Sequence, residues 1–465
     1  MLAELAAQGQ PDAIMQRAAY GLAYAVLDFL GSAYGRQVRL LVGPGNNGGD
    51  ALYAGALLAR RGAAVEAFLV WPDRIHRGGL EVFLAAGGRL SPAEAPPRAA
   101  DPEIDVVIDG ILGIGALGGL PPEAEQALAR FPGAPVVAVD LPSGIHADTG
   151  ELTGPHAGAV LTVTFGSHKV AHLVDPAARA CGVVHLVDLD LSLPEAAVQA
   201  LQEGDVAAMT PRDDPIGHKY TRGVVGVRTG SAAYPGAAVL SVGGALCGLA
   251  GMVRYVGAAA DVVQQAHPEV VVGAGRVQAW VVGSGGGEDA AAALAASVAD
   301  GCPIVIDADG LAPFVDLVAA SPVSTPLSSP VVLTPHAGEL ARMLGVTRDE
   351  VEALQLHYAC EAADRFGAVV LLKGRRTLIV EPGSGRVRVN TTGVPWLATA
   401  GSGDVLAGLI GALLASGLSP FDAASVGAWL HGAAGTLASA GGPINATQIA
   451  EALPEVVRRA LSPRD

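Results

Sequence analysis

Residues 40–54 read LLVGPGNNGGDALYA. An apolar run, Leu40 to Val42, breaks into a turn over Gly43 to Gly49; Asp50 follows, and a helix-like stretch runs from Ala51 to Arg61. A strand that feeds a glycine-rich loop at a helix start offers backbone N–H groups and the helix dipole to an anionic ligand. Two common phosphate loops are excluded. The lysine a Walker loop needs is missing, and the glycines are not spaced GxGxxG. What remains is a strand-to-helix turn carrying Asn46, Asn47 and Asp50.

Outward from that turn, short apolar runs alternate with Ala- and Leu-rich stretches, as a βαβ series requires. Strands are expected at Val38–Val42, Ala64–Val70, Val106–Ile108, Val136–Val139, Ala159–Thr164 and Val183–Leu186. The pattern lapses around 190–215, which is polar, proline-bearing and without an expected strand. It restarts at Val224–Val227, Val253–Val256, Ala279–Val282, Ile304–Ile306, Val331–Thr334, Val369–Leu372 and Thr377–Val380. The fold class is therefore α/β, with doubly wound parallel sheets in two domains, 1–205 and 206–465. In such sheets ligands bind beyond the carboxyl ends of the strands.

Composition agrees with buried α/β layers: of 465 residues, 51% are hydrophobic, 16% are charged and 62 are Gly. A net charge of −16 excludes the basic footprint of a nucleic-acid or anionic-membrane binder. The N-terminal MLAELAAQGQPD has neither a basic nor an apolar segment, so no signal peptide is expected, and the apolar run 405–418 is too short to span a bilayer. Cys181, Cys247, Cys302 and Cys360 show no ligand spacing and are expected as reduced thiols in a cytoplasmic protein.

Asn47, Asp109 and Ser143 stand at three strand ends of the first half. An amide, a carboxylate and a hydroxyl suit a weakly held hard cation. Asp140, directly after a strand, is placed as an acid/base group or a hydroxyl acceptor. In the second half LATAGSGDVLAGLIGALLASG sets a glycine turn before an apolar helix, with Asp404 in the first turn. Backbone donors beside a carboxylate suit phosphoryl transfer to a hydroxyl. VIDADGLAPF, VLTPHAGELARML and VVLLKGRRTLIV precede it, each at a strand end, and Lys373 is a point charge for nucleotide phosphates.

GPGNNGGD, DGILGIG and VDLPSGI, in this order, resemble the YjeF N-terminal family of NAD(P)H-hydrate epimerases over about residues 10–190. The resemblance implies a Rossmann-like three-layer α/β/α domain that binds the hydrated dinucleotides NADHX and NADPHX. Contacts would come from Asn46, Asn47, Gly48, Gly49 and Asp50, from Gly113, Ile114, Gly115, Ala116, Leu117, Gly118 and Gly119, and from Asp140. It also implies potassium on Asn47, Asp109 and Ser143. Asp140 is preferred over Asp50 as the epimerase base.

GHKYTRGVVGVRTGSAAYPGAA, at 217–238, and the later phrases resemble the YjeF C-terminal family, ADP- or ATP-dependent NAD(P)H-hydrate dehydratases with a ribokinase-like fold. By that resemblance Ala237, Gly285 and His336 meet the hydrated dinucleotide, Lys373, Gly374, Arg375, Arg376, Thr377 and Gly403 hold the nucleotide with magnesium, and Asp404 is the catalytic base and touches substrate. A homo-oligomer is also implied. Three positions depart from the family pattern: Ala51 replaces a glycine, Arg228 interrupts an apolar strand, and GSGGG at 283–287 replaces GPGLG. The alternative is a small-molecule kinase of the ribokinase superfamily carrying a non-catalytic YjeF-like binding module.

Overall fold

In the computed structural model, residues 13–91, 103–212, 214–320 and 329–462 are described. The segment in which a signal peptide was sought, 1–12, lies outside them. The chain forms two compact units, Met1–Glu195 and Ala196–Asp465.

The first unit carries seven strands: β1 Gln37–Val42, β2 Ala64–Leu69, β3 Arg89–Leu90, β4 Val106–Gly110, β5 Val136–Val139, β6 Leu161–Phe165 and β7 Val183–Val187. They are ordered β3-β2-β1-β4-β5-β6-β7 and every pairing is parallel. Alternation along β1 sends side chains to both faces. Val38, Leu40 and Val42 join one core with the helices Ala13–Leu30 and Gly45–Arg60, while Leu41 joins Val107 and the helix Pro122–Ala129 on the other. Three layers result. The strand order reverses between β1 and β4, which makes that crevice the ligand position of a doubly wound sheet.

The glycine turn differs from expectation. Gly45 to Asp50 are already the first turns of the helix Gly45–Arg60, with Pro44 as its cap. The glycines serve close packing rather than a loop. A Cβ on Gly43 would run into the Ile111 carbonyl, and one on Gly48 into the Gly43 carbonyl. Ala51 is therefore helical and fully buried, outside the positive-φ residues, and places no strain on the backbone.

The second unit has β8 Val198–Gln199, β9 Val224–Arg228, β10 Met252–Tyr255, β11 Val271–Val272, β12 Ala279–Val282, β13 Ile304–Ile306, β14 Val331–Leu333, β15 Val369–Leu372, β16 Thr377–Val380 and β17 Val387–Asn390. Their order is β11-β10-β9-β12-β13-β14-β15-β16-β17-β8. Only β16 is antiparallel to its neighbours, β15 and β17. The division expected after residue 205 falls after 195, because β8 pairs with β17 and so anchors the polar stretch in the second sheet. A helix, Glu203–Met209, also forms there. Here the order reverses between β9 and β12, and the helix Ser402–Ala415 packs over both strands with nearly every residue after Asp404 buried. Among the described residues no helix is long and apolar enough to cross a membrane.

Arg228 is accommodated at the end of β9 without an uncompensated charge. Its guanidinium lies 3.7 Å from the Trp280 ring centroid, donates to Ser297 Oγ at 2.7 Å and pairs with Asp300 at 3.3 Å. A cation over an indole face is attracted by the ring quadrupole.

Candidate active sites

At the β1/β4 crevice, Asp109, the penultimate residue of β4, is fully buried. Ser143 donates to it twice, from the backbone N at 2.8 Å and from Oγ at 2.6 Å, and Ile111 N donates at 3.2 Å. Burial raises its pKa, and the three hydrogen bonds only partly oppose that. No cationic side chain pairs with Asp109 among the described residues. Asn47 arrives from the neighbouring helix: a Cβ on Gly113 would lie 3.2 Å from its Oδ1. Its Nδ2 is buried without a partner. A buried carboxylate held by neutral donors alone fits a cation, which Asn47 could meet only through Oδ1, its unpartnered Nδ2 being a donor.

The loop Gly113 to Gly119 continues outward from there. Ile114 and Leu117 are exposed, and Gly119 N is tied to Gly144 O at 2.7 Å. The structure thus brings Asn47, Asp109, Ser143 and the start of this loop together. Asn46 is exposed on the same helix turn, while Gly48, Gly49 and Asp50 are buried.

Asp140 follows β5 with φ +65°, a left-handed conformation that Asp visits more readily than most residues. His172 holds that backbone: its Nε2 donates to Asp140 O at 2.9 Å, and its Nδ1 accepts from Lys169 N at 3.0 Å. Burial pulls the His172 pKa down to about 4, so the ring is neutral and the tautomer is fixed by its two partners. The Asp140 carboxylate pairs with Lys169 Nζ at 2.5 Å and accepts from Thr164 Oγ1 at 2.8 Å. Asp50 faces the same charge. Burial first, and then the negative charge of Asp140, push its pKa up to about 8, and its Oδ1 has no hydrogen-bond partner. Asp50 therefore keeps its proton at neutral pH while Asp140 is ion-paired, the division of roles expected of an acid and a base.

The second site lies at the start of the helix Ser402–Ala415, whose cap, Gly401, has φ +86°. Asp404 sits in the first turn, and burial, then the charge of Asp307, raise its pKa to about 6. Asp307, at the end of β13, is buried; Lys373 Nζ lies 2.8 Å from its Oδ1 and Thr334 Oγ1 donates to the same oxygen at 2.8 Å. Burial would raise the Asp307 pKa, but Lys373 and these hydrogen bonds prevail and hold it below the usual carboxylate range. Lys373 also faces Glu339 at 3.8 Å. Gly403 belongs to the same cluster, since a Cβ there would sit 3.3 Å from Lys373 Nζ.

Gly374 and Thr377 form the turn after Lys373, Thr377 Oγ1 donating to Gly374 O at 3.5 Å, and Arg376 reaches Thr391 O at 3.1 Å. Arg375 lies in the same turn. Ala237 and Gly285 adjoin, a Cβ on Gly285 coming within 2.6 Å of the Ala237 Cβ. His336 caps the helix Ala337–Leu344 through Nδ1, accepting from Gly338 N at 3.0 Å and Glu339 N at 3.2 Å, with its side chain half exposed. It therefore has a structural role beside the ligand role expected for it.

Sequence reasoning missed Lys169, Glu339 and His431. Lys169 had a signal, a lone lysine in the loop after β6. His431 sits fully within an apolar helix, and burial pulls its pKa down to about 4. Its Nε2 donates to Ser402 O at 3.0 Å, which secures the turn before Asp404. Glu339 had no signal beyond its place as the partner in the His336 capping box.

Comparison with known proteins matches residues 225–455 to the family described as NAD(P)H-hydrate dehydratase, and residues 11–171 to the family described as YjeF-related protein N-terminus. The bifunctional NAD(P)H-hydrate repair enzyme Nnr of Mycobacterium leprae is 46% identical over 97% of this chain and 95% of its own length. Its counterpart from Mycobacterium tuberculosis is 49% identical over 89% of this chain and 87% of its own length. Among solved structures, the ADP/ATP-dependent NAD(P)H-hydrate dehydratase from Bacillus subtilis, co-crystallised with ATP and magnesium, aligns with a TM-score of 0.52 at 29% identity, covering 57% of this chain and 99% of that one. The chain belongs to the family of bifunctional NAD(P)H-hydrate repair enzymes.

Proposed function

We propose that the first unit interconverts the C6 epimers of NADHX and NADPHX, and that the second dehydrates the S epimer to NADH or NADPH at the expense of ADP or ATP. The observation that carries this reading is the Asp404, Asp307 and Lys373 cluster at the mouth of an apolar helix in the second unit, the first unit carrying an independent acid and base pair of its own. Hydroxide is a poor leaving group and phosphate a good one. The substrate's 6-hydroxyl oxygen bonds to the terminal phosphorus, Asp404 takes the hydroxyl proton, and the bond from that phosphorus to the bridging oxygen of the nucleotide breaks. Phosphate then leaves C6 as the adjacent ring carbon loses a proton. Lys373 and the amide of Gly403 would meet phosphate charge, the Ser402 amide being taken by Thr399 O at 3.3 Å. Asp307, Glu339 and Asp404 outnumber Lys373 in charge, which favours a nucleotide that brings magnesium with it.

In the first unit Asp140 acts as the base toward the 6-hydroxyl, with Lys169 holding its carboxylate and Asp50 supplying a proton. Asn47, Asp109 and Ser143 would hold potassium, which supplies the positive charge that Asp109 lacks. The four cysteines, none of them disulfide-bonded, support a cytoplasmic setting, and a homo-oligomer rests on the family resemblance.

Two outcomes test these assignments. Exchanging potassium for tetramethylammonium lowers epimerisation and leaves dehydration of the S epimer intact, and titrating potassium back raises the melting temperature by mass action. Asp109→Asn removes that thermal response; a response that survives the substitution contradicts the cation assignment. The second outcome concerns pH. Asp404 must be charged to accept a proton, and its pKa is raised to about 6, so dehydratase kcat/KM falls as pH drops through about 6. A profile flat down to the ordinary carboxylate range would contradict the role of Asp404.

A further inference from the structure

The loops that follow β5 and β6 meet where Asp140 pairs with Lys169. Asp140 is held there in a rare geometry. Leu141 N donates to Val139 O at 2.8 Å across it, and with φ +65° at the centre this is the γ-turn that chains seldom adopt and that carries strain. Such a turn persists only where its surroundings fix it. On its amide side Asp140 N donates to Val163 O of β6 at 2.8 Å. On its carbonyl side the donor is His172 Nε2 at 2.9 Å, from the short helix Val170–Leu173.

The buried His172 ring reaches both members of the ion pair. Nε2 meets the Asp140 carbonyl, which can only accept, and Nδ1 meets the Lys169 backbone N–H at 3.0 Å, which can only donate. A single neutral tautomer, protonated at Nε2, satisfies both. The Lys169 side chain has no proton to spare: its Nζ lies within 3.2 Å of Asp140 Oδ1, Thr164 Oγ1, Phe165 O and Ser167 O, four acceptors for three protons. We infer that His172 is a positioning residue of the epimerase: its imidazole clamps the strained turn at Asp140 to the start of the Lys169 helix and so aims the base carboxylate at the substrate's 6-hydroxyl. The inference rests on the reading of Asp140 as that base.

The ion pair cannot do this work by itself. Rotation about φ turns the Cα–Cβ bond, so a relaxed turn would carry the carboxylate away from the ligand while the lysine followed it on a flexible four-carbon stem. The ring acts on the backbone instead. Its own helix is anchored to the chain beyond Asp140, since Ala171 N donates to Ala147 O at 3.0 Å and Ala171 packs with Leu141 and Ile145.

The test uses the full chain with the purified R epimer of NADHX and potassium, nucleotide omitted and the two epimers separated by chromatography. Epimerisation kcat and KM, and the melting temperature, are measured for wild type, His172→Gln, His172→Asn and Asp140→Asn. Glutamine carries its amide one bond further out than asparagine, so it sets a donor near Nε2 and keeps the bond to Asp140 O; asparagine sets an acceptor near Nδ1 and keeps only the bond to Lys169 N. His172→Asn should lower kcat roughly ten- to a hundred-fold, the scale of one carbonyl left without its donor, with KM within about two-fold. His172→Gln should keep kcat within about three-fold of wild type, and the two variants should melt alike. Dehydration of the S epimer should be unchanged in both. A wild-type kcat in His172→Asn, a loss that lies in KM, a glutamine variant as slow as the asparagine one, or a kcat that falls only in step with melting temperature overturns the inference, while an inactive Asp140→Asn leaves the base in place. An active Asp140→Asn removes the base itself and the role given to His172 with it.

Discussion

Asp404→Asn should abolish dehydration of the S epimer, by a factor on the order of 10²–10⁴, while epimerisation continues at the wild-type rate. Asparagine preserves the shape of the first helical turn but cannot accept the hydroxyl proton at the moment phosphorus is attacked. Stability should move the other way. The Asp404 pKa is raised, so its charge opposes folding above that pKa; the favourable, protonated state is lost as pH rises through about 6. At neutral pH the neutral asparagine removes repulsion from Asp307 and should lift the melting temperature, a gain that should vanish in acid. A loss of activity accompanied by a fall in melting temperature at neutral pH would instead point to a structural role.

Asp140→Asn should remove catalysed epimerisation by a comparable factor and leave dehydration of the S epimer unchanged. The backbone at φ +65° accepts asparagine as well as aspartate, so the change isolates chemistry from strain. It leaves Lys169 without its carboxylate and lowers the Asp50 pKa, because the second contribution to its rise is the charge of Asp140. With the R epimer as sole substrate, NADH should return only at the uncatalysed rate of epimerisation. Undiminished return would contradict the choice of Asp140.

Much of this was legible in the sequence because parallel strands buried on both faces announce themselves as short Val and Ile runs. β5, β12, β13 and β15 begin and end where the pattern puts them, and so does the antiparallel β16. Two-residue strands such as β3, β8 and β11 carry no periodicity, and β17 alternates arginine and asparagine with valine, so each depends on a neighbour to exist. The compact units part ahead of the expected 205 for the same reason, since the short β8 gives no signal of its pairing with β17. The glycines of GNNGGD were misread as a loop because glycine is a poor helix former; close packing of Gly48 on the Gly43 carbonyl and of Gly49 on His76 and Met15 overrides that propensity.

Site residues were legible wherever they end a strand beside glycines, as Asp109, Asp140 and Lys373 do. The partners that tune them were not. Lys169, Glu339 and His431 act through contacts across 20 or more positions, or through caps whose chemistry a linear pattern does not display.

The most direct test of the account follows the reduced-nicotinamide absorbance after the chain is mixed with both epimers of NADHX, magnesium, potassium and ADP or ATP. The account predicts complete return of NADH from both epimers with at least one nucleotide, and return limited to the S epimer in Asp140→Asn. No return with either nucleotide, or a stable phosphorylated product in place of NADH, would contradict it.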